Sequence, residues 1–134
     1  MSDTQFSPPQ SKIRVLVVDD RPALRQATIN LLYFEDDITV VGTAEDGLDA
    51  ANKARDLQPD IVLMDIEMPV MDGIESTQHI LKERPHIRVI ATSSDQRFKA
   101  NALGAGAVDF LGKPFSEDEL AEAIRKAVKD PQED

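Results

Sequence analysis

Five short apolar runs punctuate the chain, and a stretch with helically spaced apolar residues follows each of them. The runs cover Ile13 to Val18, Ile38 to Val41, Asp60 to Met64, Ile87 to Thr92 and Ala107 to Leu111. They are brief and rich in Val, Ile and Leu, which predicts strands. The first intervening stretch, Pro22 to Phe34, places Leu24, Ala27, Ile29, Leu31 and Leu32 on one helical stripe, with Pro22 suited to a first turn. Ala44 to Leu57 predicts a second helix. Ile74 to Glu83 predicts a third, with Asp72 as its expected cap. Gln96 to Leu103 is a short and weakly striped fourth. Ser116 to Val128 is the clearest, because Ser116 and Glu119 form a capping box ahead of Leu120, Ala123, Ile124 and Ala127. Strands alternating with helices imply βαβ units and a parallel sheet covered on both faces. The unbroken apolar character of the first and third runs fits strands buried on both sides. The expected class is therefore α/β, a doubly wound five-stranded parallel sheet with five helices.

At 134 residues the chain fits one domain, expected over residues 12–130. Residues 1–11 are expected as a disordered tail and 131–134 as a frayed end. The absence of cysteine excludes disulfides, thiolate metal sites and a cysteine nucleophile. No apolar stretch approaches the ~18 residues of a membrane span, and residues 1–11 lack an apolar signal core. The expectation is a cytoplasmic protein without membrane contact. Fifteen basic residues against 25 acidic ones leave a net charge of −10. That field repels nucleic acid, so no direct DNA binding is expected, and it suits a protein that binds cations or basic surfaces.

The polar groups that matter collect where the apolar runs stop. Asp19 and Asp20 follow the first run, Asp65 the third, Ser93 the fourth, and Lys113-Pro114 the fifth. In open α/β sheets, ligands bind outside the carboxyl ends of the strands. Three carboxylates in one pocket repel one another unless a cation sits among them. A hard, oxygen-preferring ion such as Mg²⁺ is the natural occupant. Asp65 would then be a nucleophile accepting a phosphoryl group, with the Lys113 ammonium offsetting charge on the transferring oxygens. Ser93 could donate to a phosphoryl oxygen. His79 and His86 read as surface residues, and Met64, Met68 and Met71 as packing.

The segments Val17-Val18-Asp19-Asp20, Leu63-Met64-Asp65-Ile66-Glu67-Met68-Pro69 through Asp72-Gly73, and Gly106-Ala107 through Lys113-Pro114-Phe115 together resemble bacterial two-component response-regulator receiver domains. The resemblance covers nearly the whole chain in the expected order. It implies the flavodoxin-like strand order 2-1-3-4-5 of chemotaxis regulators and a phosphorylation-dependent switch. By resemblance, Asp65 accepts a phosphoryl group from a sensor histidine kinase or phosphotransfer protein. Asp20 and Asp65 ligate Mg²⁺, Asp19 does so at least partly through water, and the backbone carbonyl of Glu67 is a further ligand. Lys113 pairs with the phosphoryl group, and the Lys113-Pro114 bond is expected to be cis. The family's switch hydroxyl ends strand four, where Thr92, Ser93 and Ser94 compete. Aligning Val89-Ile90-Ala91 with the strand core selects Ser93, with Thr92 next. The switch aromatic falls at Phe110, so any inward rotation must be driven by packing. The Ser93–Gly106 segment is slightly shorter than in typical members.

The resemblance also implies that a face built by helix four, strand five and helix five changes its affinity for a downstream protein, and it leaves room for a phosphorylation-linked homodimer. Such a domain promotes only its own phosphorylation and dephosphorylation and is no enzyme for other substrates. Three other readings stay open. One is a Mg²⁺-dependent phosphohydrolase with an aspartyl-phosphate intermediate. Another is a receiver fragment of a DNA-binding transcriptional regulator, and the third a constitutive docking module.

Overall fold

The computed structural model describes residues 12–129, so both expected tails lie outside the described residues. The elements run β1 (Ile13–Val18), α1 (Pro22–Leu32), β2 (Ile38–Ala44), α2 (Gly47–Leu57), β3 (Ile61–Asp65), α3 (Gly73–Glu83), β4 (Arg88–Ser93), a 3₁₀ turn (Gln96–Phe98), α4 (Lys99–Gly104), β5 (Asp109–Gly112) and α5 (Glu117–Lys129). All five strands pair in parallel, in the order β2-β1-β3-β4-β5. This is the expected fold, and it arises because each strand end feeds a crossover helix that covers one face of the sheet.

Alternation along the strands sorts the core into two layers. Leu16, Val18, Val62, Met64, Val89, Ala91 and Phe110 pack on the side of α2, α3 and α4, where Ala50, Ile80 and Ala102 meet them. Val15, Val17, Ile61, Leu63 and Ile90 pack on the opposite side against Leu32 of α1 and Leu120 and Ile124 of α5. Every residue of β3 is buried, as its apolar run requires.

Several boundaries differ from expectation. β2 continues three residues past Val41, because a register shift opposite Val15 and Leu16 absorbs an extra residue and Gly42 stays in the strand. α2 accordingly starts at Gly47 rather than Ala44, where the Asp46 side chain accepts from the Asp49 amide. β5 starts two residues late, at Asp109. The fourth helix is a 3₁₀ turn followed by six α-helical residues. α1 ends at Leu32, and its stripe is covered only at its end: Leu32 is buried and Ile29 and Leu31 pack against the core, but Leu24 is 39% exposed and Ala27 is exposed as well. The pattern fixed a helical period without fixing what lies against it.

Two glycines allow the chain its closest approaches beside the sheet's carboxyl edge. A Cβ on Gly73 would sit 2.2 Å from the Asp65 carbonyl oxygen and 2.8 Å from Ile66 Cα. The first turn of α3 therefore rests directly on the end of β3, with the Gly73 amide donating to the Ile66 carbonyl at 2.9 Å. Gly47 does the same for α2: its amide donates to the Met71 carbonyl at 2.9 Å, and a Cβ there would lie 2.2 Å from that oxygen.

The expected caps form. The Asp72 carboxylate accepts from the Glu75 amide at 2.9 Å. Ser116 Oγ accepts from the Glu119 amide, and Glu119 Oε1 accepts from the Ser116 amide. Ser116→Ala is expected to lower stability by about 1 kcal/mol, read as a reduced urea midpoint with an unchanged slope; no change would mean the box is redundant with packing by Leu120.

Candidate functional site

The strand ends deliver their polar side chains to one edge. Asp19 follows β1, Asp65 closes β3, and both follow strand residues of the α1/α5 layer by an even step, so they share that face. Lys113, just beyond β5, reaches both: its Nζ donates to Asp19 Oδ2 at 3.0 Å and to Asp65 Oδ1 at 2.9 Å. The peptide bond from Lys113 to Pro114 is cis, as expected, and the Lys113 amide donates to the Ser93 carbonyl at 3.0 Å, tying the end of β5 to the end of β4.

Asp65 is 2% exposed. Burial pushes its carboxyl above the ordinary carboxylate range, and the Lys113 hydrogen bond and charge pull against that rise. Among the described residues, Asp65 Oδ2 is buried and meets no hydrogen-bond donor. Asp20 completes the acidic set, since carboxylate oxygens of Asp19, Asp20 and Asp65 lie within 4.8 Å of one another. An all-oxygen donor set with one unsatisfied buried oxygen fits a hard divalent cation. The carboxylate of Glu67 stands outside that cluster; Glu67 is exposed and lines a hollow of about 400 Å³ beside Asp20, floored by Ile66, Met68 and Phe98.

Thr92 and Ser93 are both buried, and the strand separates them. Thr92 is the register partner of Asp65 and shares its face. Ser93 follows Ala91 by two residues and so shares the face of Phe110, which is 8% exposed and already inside the core. The Asp95 amide donates to Ser93 Oγ at 2.9 Å. The Asp95 carboxylate caps the 3₁₀ turn through the Arg97 amide and is clamped by the Arg97 guanidinium at 2.8 to 3.2 Å, which holds it down to about 2.

Sequence reasoning did not find three of these partners. The Arg21 amide donates to Asp19 Oδ1 at 3.0 Å, Arg25 donates to the Asp19 carbonyl at 2.8 Å, and the Asp95 amide meets Ser93. The first and third are side chain to amide two residues on, the geometry of Asx and Ser turns, so the spacing itself was a usable signal. His79 and His86 are exposed and away from the acidic set.

Comparison with known proteins agrees with this geometry. Residues 15–125 match the response regulator receiver domain. The chemotaxis protein CheY of Listeria monocytogenes is 40% identical over 119 residues, covering 87% of this chain and 99% of that protein. The response regulator domain of Thermotoga maritima CheB superposes with a TM-score of 0.82 at 42% identity, covering 90% of this chain and 99% of that one. The receiver domain of the sensor histidine kinase PA1611 from Pseudomonas aeruginosa, solved with a magnesium ion in its active site cleft, superposes at 0.80 with 27% identity, covering 89% of this chain and 99% of that one. Other relatives are longer: the chain spans 31% of a protein-glutamate methylesterase from Halalkalibacterium halodurans and 54% of the response regulator GacA from Pseudomonas viridiflava. A parallel sheet in the order 2-1-3-4-5, an acidic triad and lysine at its carboxyl edge, and a match across residues 15–125 lead to one conclusion: this chain belongs to the response-regulator receiver family.

Proposed function

We propose that the domain is a phosphorylation-driven switch that takes a phosphoryl group from a phosphohistidine onto Asp65. The donor is a sensor histidine kinase or phosphotransfer protein. The observation that carries this reading is the Asp65 carboxylate itself, buried, held at one oxygen by Lys113 and without a donor at the other, beside two further carboxylates. On this reading the domain spans residues 12–130, works in the cytoplasm and turns over no substrate of its own.

Asp19, Asp20 and Asp65 would hold a magnesium ion, with the Glu67 backbone carbonyl as a further ligand. When bound, that ion supplies positive charge between the carboxylates and the phosphoryl oxygens. An Asp65 oxygen attacks phosphorus, the phosphorus–nitrogen bond breaks, and the donor imidazole keeps the electron pair. Transfer of this kind needs positioning and charge balance more than proton movement. Lys113 provides both, since its ammonium fixes the carboxylate before attack and offsets the added charge afterwards. The Asp95 amide occupies a lone pair of Ser93 Oγ, which leaves the hydroxyl proton free to donate to a phosphoryl oxygen.

Movement of Ser93 toward the phosphoryl group would alter packing on the face it shares with Phe110. The neighbouring α4 is only six residues long and buries Ala102 alone. The α4-β5-α5 face then changes its affinity for a downstream protein or for a second copy of the chain. A few kcal/mol of difference between two packings suffices for such a switch. Attachment to a transcriptional output domain is consistent with the transcriptional regulatory protein LnrK of Bacillus subtilis, of which the chain spans 52%. The phosphohydrolase alternative would need a general acid beside Asp65, and the residue two positions on, Glu67, is exposed with its carboxylate outside the acidic cluster.

Acetyl phosphate and Mg²⁺, followed by a phosphate-affinity gel, test the reading. Wild type is expected to shift to a hydroxylamine-sensitive species, and Asp65→Asn to show none. An unshifted wild type, or a shifted Asp65→Asn, overturns the proposal.

A further inference from the structure

Each polar atom of Asp19 has a partner. Its amide donates to the Ala44 carbonyl at 3.1 Å, its Oδ1 accepts from the Arg21 amide at 3.0 Å, and its Oδ2 accepts from Lys113 Nζ at 3.0 Å. Its carbonyl oxygen accepts from Arg25 Nη1 at 2.8 Å. Asp20 is held differently. Its carboxylate is half-buried and, among the described residues, accepts no hydrogen bond; the Arg21 guanidinium comes only to 3.9 Å from it. The place of that carboxylate is therefore set by the main chain that carries it, which begins at the peptide whose oxygen Arg25 binds. Arg25 stands in the first turn of α1, with its own amide donating to the Arg21 carbonyl at 2.9 Å. Among the described residues it makes no ion pair, and its guanidinium spends its hydrogen bond on that main-chain oxygen. The bond closes the β1–α1 turn around Asp20.

Resting on the reading of Asp19, Asp20 and Asp65 as a magnesium site, we propose that Arg25 is a positioning residue for that site. By holding the peptide between Asp19 and Asp20, it orients the Asp20 carboxylate toward the cation without touching either. Groups that orient a metal's ligands from behind typically count for about 10- to 100-fold in affinity. The charge of Arg25 acts in the opposite sense, because a cation close to the carboxylates repels a second one. Removing the arginine thus separates the two roles by sign.

Mg²⁺ dissociation constants of the full chain, taken from the rise of the urea midpoint with added Mg²⁺, test this. Arg25→Met keeps an unbranched stem while removing donor and charge, and it is expected to weaken Mg²⁺ binding at least about tenfold. Arg25→Ala serves the same comparison should the methionine variant not fold. A single N–H makes the contact rather than a two-pronged fork, so Arg25→Lys can keep it and is expected to bind within about threefold of wild type. Unchanged Mg²⁺ affinity in the Met or Ala variant, even with lower stability in chelator, would leave Arg25 as an anchor of α1 and overturn the proposal. Tighter binding overturns it as well, as the signature of charge alone, and so does a lysine variant as weak as the methionine one. A wild type whose midpoint ignores Mg²⁺ overturns the magnesium site itself.

Discussion

Lys113→Ala is expected to lower folding stability by about 3 kcal/mol at pH 7 in chelator. The variant removes the one ammonium that hydrogen-bonds both Asp19 and Asp65, at 3.0 and 2.9 Å. Its side chain is only 15% exposed, so solvent screens the loss poorly. Two nearly buried carboxylates would then face each other with Arg21, at Asp19, left to offset them. The effect carries a definite pH signature. Burial already raises the folded Asp65 carboxyl above its unfolded value, and Lys113 opposes that rise. Between the two values the folded state binds more protons than the unfolded state, so this group's contribution to stability falls as pH rises through its folded value. Losing Lys113 raises the folded value further. The deficit should therefore be largest near neutrality and shrink on acidification. Urea unfolding at pH 7 and pH 5 measures it, and equal deficits at the two pH values would count against a charge-based origin. Magnesium at a hundredfold excess over its dissociation constant should stabilise the wild type by about 2.7 kcal/mol.

Gly73→Ala is the second large effect, of at least about 3 kcal/mol. The added methyl would sit 2.2 Å from a carbonyl oxygen and 2.8 Å from an α-carbon, both backbone atoms of the strand end that carries Asp65. A flexible side chain could step aside, but a central parallel strand paired on both sides cannot do so cheaply. Relief must come from lifting α3 or from bending the Asp65–Ile66 peptide, and the second would move Asp65, the proposed acceptor. Acetyl phosphate labelling at a temperature where the variant remains folded should thus fall more steeply than the folded fraction does. Unaltered stability would show that α3 can shift at no cost, contrary to its amide bond to Ile66.

The fold was legible because its period is written twice, once in strand runs and once in helical stripes. The strand ends were legible because carboxylates and a lysine rarely stop apolar runs without a reason. What escaped was contact information. Leu24 and Ala27 stand at the spacing of a buried stripe, yet nothing in that spacing says that the β5–α5 connection leaves them facing a groove. Gly42 looks like a strand terminator but lies inside β2, where a Cβ would press within 2.6 Å of the Leu57 side chain. The Arg21 and Asp95 partners escaped because main-chain amides donate, and every residue except proline carries one. Thr92 and Ser93 could not be told apart by residue chemistry, only by the face each takes.

That last distinction makes β4 the place where two separate trades meet. Thr92 takes the face of Asp65 and Ser93 the face of Phe110, and only one peptide bond lies between them. Slipping β4 by a single residue would exchange their views. Asp65, Lys113 and the acidic pair would be left whole, and the domain would still accept its charge. It would then carry a β-branched hydroxyl, Thr92, where Ser93 now accepts from the Asp95 amide.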